Sequence, residues 1–168
     1  MNNLILSNTV RFIFLVLLQV LILNNVNLFG YLNPFVYITW IFLFPIKKNK
    51  SVFLITSFFL GISIDFFSNS GGVNAAATVF IAFIRLPILK AVLRKSDFDY
   101  LLFNLRSISF DKIFLYIVTL TIIHHFILFS LEYFSSNAFT SIISTTFFTS
   151  IFTIIIILLG IFLFVKKK

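Results

Sequence analysis

Residues 73–93 read VNAAATVFIAFIRLPILKAVL, an apolar run broken by only two charges, Arg85 and Lys90. As a helix rising 1.5 Å per residue it covers about 30 Å, the thickness of a bilayer's hydrocarbon core. Five further apolar runs flank it, at 10–29, 32–46, 52–67, 113–131 and 140–165. The first is interrupted by Gln19, Asn24 and Asn25, and the second is short and bracketed by Pro34 and Pro45. Runs two and three are near the lower length limit. They read either as two full spans or as a re-entrant pair, which is tolerated where protein surrounds the backbone. The runs predict an all-α integral membrane protein, a six-helix transmembrane bundle forming one domain over residues 1–168.

Composition points the same way. Of 168 residues, 60% are apolar and 11% charged, with a mean hydropathy of +1.11. A soluble domain keeps about a quarter of its residues charged. The surface implied here suits lipid and not water. The lack of Cys excludes disulfides and thiolate metal sites.

The net charge of +8 would suggest nucleic acid in a soluble protein, so its distribution decides its meaning. With a cytoplasmic N-terminus and six crossings, Arg11 falls at the inner end of the first helix. Lys47, Lys48 and Lys50 fall in the first inner loop. Lys90, Arg94, Lys95, Arg106 and Lys112 lie in or beside the second, and Lys166, Lys167 and Lys168 form the tail. The outer loops around 24–33, 68–72 and 132–139 hold no Lys or Arg. Twelve of thirteen basic residues fit one topology, with Arg85 the sole outlier. This is the positive-inside pattern, and it removes the motive for a nucleic-acid role. Both termini are expected in the cytoplasm, with the lipid bilayer as the first partner. The first run lacks a small-residue cleavage site and reads as an uncleaved span. Between the fourth and fifth runs, residues 96–110 place Phe98, Leu101, Leu102, Leu105 and Ile108 at helical spacing. That stretch reads as an amphipathic helix on the cytoplasmic surface or as a loop packed on the bundle.

Catalysis needs polar groups that converge. The acids Asp65, Asp97, Asp99, Asp111 and Glu132 and the pair His124 and His125 form no zinc-type H-E-x-x-H pattern, and no phosphate-cradling Gly-rich loop is present. Gly61-Ile62-Ser63 lacks the second Gly of a nucleophile elbow. Adjacent histidines point about 100° apart on a helix and are not expected to line one site. The sequence predicts no enzyme, no catalytic or metal site and no cofactor.

Four polar residues within the runs read as intramembrane anchors: Arg85, Gln19, His124 and Asp65. A charge inside a span costs about 2.5–3.5 kcal/mol on insertion scales, so it finds a partner or snorkels to the interface. For Arg85 both readings stand, with Gln19 and His124 or His125 at similar depth and Pro87 loosening the local ladder to free carbonyls. Asp65 reads either as a helix-end acid in water or as an acceptor for Asn74 or Thr78. Ser57, Gly61 and Asp65 recur every four residues, as do Ser141, Thr145, Thr149 and Thr153. Small residues so spaced are expected on helix-packing faces.

Several of these features together resemble the MreD family of rod shape-determining membrane proteins, in their Bacteroidetes-type form. They are Arg11, Gln19 and Asn24-Asn25 in the first run, and Pro34 and Pro45 around the second. Residues 59–66 (FLGISIDF), residues 70–77 (SGGVNAAA) and Arg85-Leu86-Pro87 carry the rest. The resemblance covers essentially the whole chain. It implies a non-catalytic inner-membrane subunit of the bacterial cell-wall elongation complex, involved in cell shape and in regulating peptidoglycan synthesis. It implies scaffolding with an MreC-like single-span periplasmic protein, and indirect association with the glycosyltransferase–transpeptidase pair and MreB. It also implies a likeness to the fold of substrate-binding subunits of energy-coupling-factor transporters. The alternative is therefore a vitamin-like small-molecule binding subunit of a transporter. Those subunits dock through an Ala-x-x-x-Ala face on the first helix, whereas this chain has no Ala before Ala75.

Overall fold

A computed structural model of the chain describes residues 2–27, 30, 32–46, 50–94, 108–134 and 138–164. The amphipathic reading of residues 96–110 falls almost wholly outside the described residues. Helix α1 (Asn2–Leu21) closes in a 3-10 turn (Leu23–Asn25). It begins well before residue 10, so Arg11 lies about two and a half turns inside it and not at its end. Next come α2 (Thr39–Leu43), α3 (Ser51–Ser68), α4 (Val73–Leu93), α5 (Phe110–Tyr133) and α6 (Phe139–Phe164). Among the described residues no sheet forms.

Five segments are long and apolar enough to cross a membrane: Ile5–Asn25, Ser51–Ser68, Val73–Leu93, Phe110–Tyr133 and Phe139–Ile161. The second run differs from the expected sixth long helix. It holds a 3-10 turn (Val36–Ile38) leading into α2, with non-helical backbone at both ends. The prolines explain this. Pro45 pushes the residue before it out of the α region, and Phe44 is extended at φ −63° and ψ 137°. At the other end Pro34 offers no N–H, and Phe35 follows at φ −101° and ψ 72°. Run three, by contrast, is one continuous helix, long and apolar enough to cross a membrane.

The molecule is apolar outside and polar within. Phe66 is 81% and Phe83 60% exposed, while Gln19, Thr78, His124 and Thr153 are fully buried. That distribution fits a hydrocarbon surround. Helices α3, α4, α5 and α6 pack in sequence, each chiefly on its neighbour, and α1 lies against α3 and the second run. The α3–α4 seam is backbone on backbone. A Cβ on Gly61 would overlap the Cα of Ala75 and lie 2.7 Å from its nitrogen. The tight connection follows from Asn69, Gly71 and Gly72, all at positive φ.

Candidate functional site

The broken second run occupies the middle of the bundle. Tyr37, Ile38 and Ile41 are 0% exposed, and Val36, Thr39, Trp40 and Phe42 are buried around them. Buried non-helical backbone must have its polar groups paired. Side chains of the long helices supply the partners.

At its start, Gln19 on α1 donates from Nε2 to the carbonyl of Pro34 at 2.9 Å. Its Oε1 accepts from the backbone N–H groups of Val36 at 2.8 Å and Tyr37 at 3.3 Å. One amide therefore caps the first helical turn. The N–H of Phe35 donates to Thr153 Oγ1 on α6 at 3.0 Å. At the far end, Arg85 on α4 donates from Nη2 to the carbonyls of Phe42 at 3.2 Å and Phe44 at 2.5 Å. Its Nε donates to the Tyr116 hydroxyl on α5 at 2.9 Å. A cation at a helix C-terminus also meets the negative end of the helix dipole. The Phe53 ring lies 5.1 Å from the guanidinium carbon, adding a cation–π contact. Trp40 donates from Nε1 to the carbonyl of Asn8 at 3.1 Å, tying the run to the N-terminal half of α1.

The Tyr37 hydroxyl anchors the middle. It donates to Asn74 Oδ1 at 3.0 Å and lies 3.2 Å from Thr78 Oγ1 and 3.0 Å from His124 Nε2. With its one proton on Asn74, the histidine nitrogen is the donor. Asn74 in turn donates from Nδ2 to Asp65 Oδ1 at 3.1 Å and to Ser70 Oγ at 3.0 Å. The Asp65 carboxylate accepts from the N–H groups of Asn74 at 3.0 Å and Ala75 at 2.8 Å. It also takes the Ser70 hydroxyl at 2.6 Å. It thus caps α4 from the preceding helix, where Gly72 has no side chain to do so.

The expected anchors fall into place around this run. Arg85 is 3% exposed, and its guanidinium is held by partners within the bundle. The carbonyls it meets come from the second run, not from a ladder loosened by Pro87, through which α4 continues unbroken. Gln19 and His124 lie toward the other end of that run and do not contact Arg85. Asp65 is 4% exposed and bonds Asn74, while Thr78 turns to Tyr37. Ser57, Gly61 and Asp65 share the buried face expected of them.

Two readings change. His124 and His125 are both buried, and their rings lie 6.3 and 5.3 Å from the Phe35 ring, so both line one layer. Their nitrogens still take separate partners. His125 Nδ1 lies 2.7 Å from the Thr121 carbonyl and Nε2 3.3 Å from Thr153 Oγ1. Helix α5 is covered on more than one side, so directions about 100° apart are both inward. On α6, Thr149 and Thr153 are buried, but Ser141 is exposed and Thr145 half-buried. Spacing by four drifts about 40° per step, so Ser141 stands about 120° from Thr153. Thr146 and Ser150 complete the buried face instead.

Tyr37 and Tyr116 join the site without a motif to mark them. Their signal in the sequence is a phenol inside an apolar run, which needs a hydrogen-bond partner. Among the described residues no group of three or more His, Cys, Asp or Glu is placed to hold a metal. No protein-family model, curated protein or solved structure matches the chain.

Proposed function

We propose that the chain is a non-catalytic scaffold subunit of the MreD type. It lies in the inner membrane of a bacterium and holds a single-span periplasmic partner for the cell-wall elongation complex. All six runs cross in this reading, with both termini in the cytoplasm. One observation carries the resemblance furthest: several of the residues on which it rests hold the α3–α4 seam or the two ends of the second run. Gly61 seats against Ala75, Asp65 caps α4 beside Ser70 and Asn74, and Gln19 and Arg85 hold the two ends of the proline-bracketed run. The direction of the second run supports six crossings. It passes from Gln19, near the end of α1, to Asn8 in its first half, and so runs antiparallel to α1.

These groups are engaged in holding helices together, which suits a rigid surface for partners. The exposed apolar faces of α1 and α6, with Phe14, Leu17, Phe147 and Ile155 outward, are available to lipid or to a partner's span. The test is copurification in mild detergent from the native host. A single-span coiled-coil periplasmic protein is expected in the complex, and rod-shaped cells are expected to round up on depletion. Unchanged rod width after complete depletion would contradict the reading.

A further inference from the structure

Beside the Phe42–Phe44 turn a small cleft opens, with a cavity volume of about 30 Å³ at its base. Its polar members are Arg85 and Lys50, and its walls include Phe44, Pro45, Ile46, Phe53 and Leu86. A guanidinium has five N–H donors. Arg85 uses its Nε and Nη2 groups on Tyr116, Phe42 and Phe44, and Nη1 has no partner among the described residues. The described carboxylates are elsewhere. Asp65 is bound at the opposite end of α4, and Asp111 and Glu132 are exposed at the two ends of α5. A buried cation with no counter-charge among the described residues therefore faces an open cleft with a second cation at its edge. Lys50, at the N-terminal cap of α3, is exposed.

We propose that this cleft binds the phosphate of an anionic phospholipid headgroup from the leaflet that meets Lys50. Two features match that ligand. The free face of a guanidinium and an ammonium suit phosphate oxygens, and basic pockets between membrane helices take lipid headgroups. The apolar walls suit the glycerol and first acyl carbons that follow the phosphate, which a free anion would leave bare. The proposal rests on the chain lying in a bilayer and not on the identity of its protein partners.

The test uses the full chain in nanodiscs of phosphatidylcholine doped with phosphatidylglycerol, with retained lipids counted by native mass spectrometry after gentle extraction. The wild type is expected to retain phosphatidylglycerol over phosphatidylcholine by about fivefold or more, as a charge pair in a partly buried site would give. Lys50→Glu and Arg85→Gln are expected to abolish that preference, while Lys112→Glu, at the start of α5, keeps it. Arg85→Gln also loses bonds that hold the second run. Lys50→Glu, with helical circular dichroism and melting unchanged, is therefore the decisive variant. Equal retention of both lipids by the wild type overturns the proposal, as does a preference unmoved in folded Lys50→Glu. Stabilisation by inorganic phosphate in neutral detergent with no lipid preference also overturns it, making the ligand a free anion. Occupancy of the cleft only by an acidic segment of a copurified protein overturns it too.

Discussion

Arg85 shows how one residue can be expensive and indispensable at once. Its charge is costly in a span, yet it closes three acceptors that nothing else among the described residues reaches. Arg85→Leu leaves the buried Phe42 carbonyl and Tyr116 hydroxyl, and the part-buried Phe44 carbonyl, short of donors. Each such group costs about 1–3 kcal/mol, so the variant should lose about 3 kcal/mol or more. In thermal melts in detergent it should fall far below Lys48→Leu; equal melting of the two would contradict the cap. Glycine supplies a second contrast. Gly61→Ala forces a methyl into the backbone of Ala75, an overpacking worth about 1–3 kcal/mol, while Gly160 has open space around it. Gly160→Ala should be neutral or stabilising by up to about 1 kcal/mol, because alanine favours helix. At this scale the sequence is informative about which residues matter. A polar group in an apolar run must be paired, and that rule picks out Gln19, Asp65, His124 and Arg85. It is silent about partners, because Arg85 pairs with carbonyls that carry no side-chain signature.

The second run is the element around which the others are arranged. Helix α1 reaches it through Gln19 and Asn8, α4 through Asn74, Thr78 and Arg85, α5 through His124, and α6 through Thr153. Gln19→Leu should unpair the Pro34 carbonyl and the Val36 and Tyr37 amides together. Hydrogen exchange across residues 34–44 should then quicken at least tenfold, while that of α4 changes little; uniform exchange in both would show that Gln19 is not the cap. On α6, Thr153→Val removes the acceptor for the Phe35 amide and should cost about 1–3 kcal/mol. Ser141→Val, on the exposed face, should stay within about 0.5 kcal/mol. The run's ends are legible from Pro34 and Pro45. Its break into extended and helical parts is not, because an apolar window of fifteen residues looks the same for a short span as for a buried segment. The buried face of α6 departs from the spacing of four for a geometric reason, since that spacing is close to the helical period but not equal to it.

Over the whole molecule, five long helices surround a short one with little regular structure of its own, and in the proposed arrangement that short run makes the sixth crossing. Extended backbone rises about 3.3 Å per residue, more than twice a helix, so fifteen residues can cross where a fifteen-residue helix would fall short. The distribution of the basic residues and the antiparallel course of the second run are the grounds on which this arrangement is proposed. The most direct test uses the absence of native cysteine. Single substitutions Asn27→Cys, Lys48→Cys and Ser70→Cys are labelled with a membrane-impermeant maleimide in right-side-out vesicles, then again after permeabilisation. If the second run crosses, Asn27→Cys and Ser70→Cys label in intact vesicles and Lys48→Cys labels only after permeabilisation. If all three label from the same side, the second run turns back within the membrane, and the six-crossing arrangement is wrong.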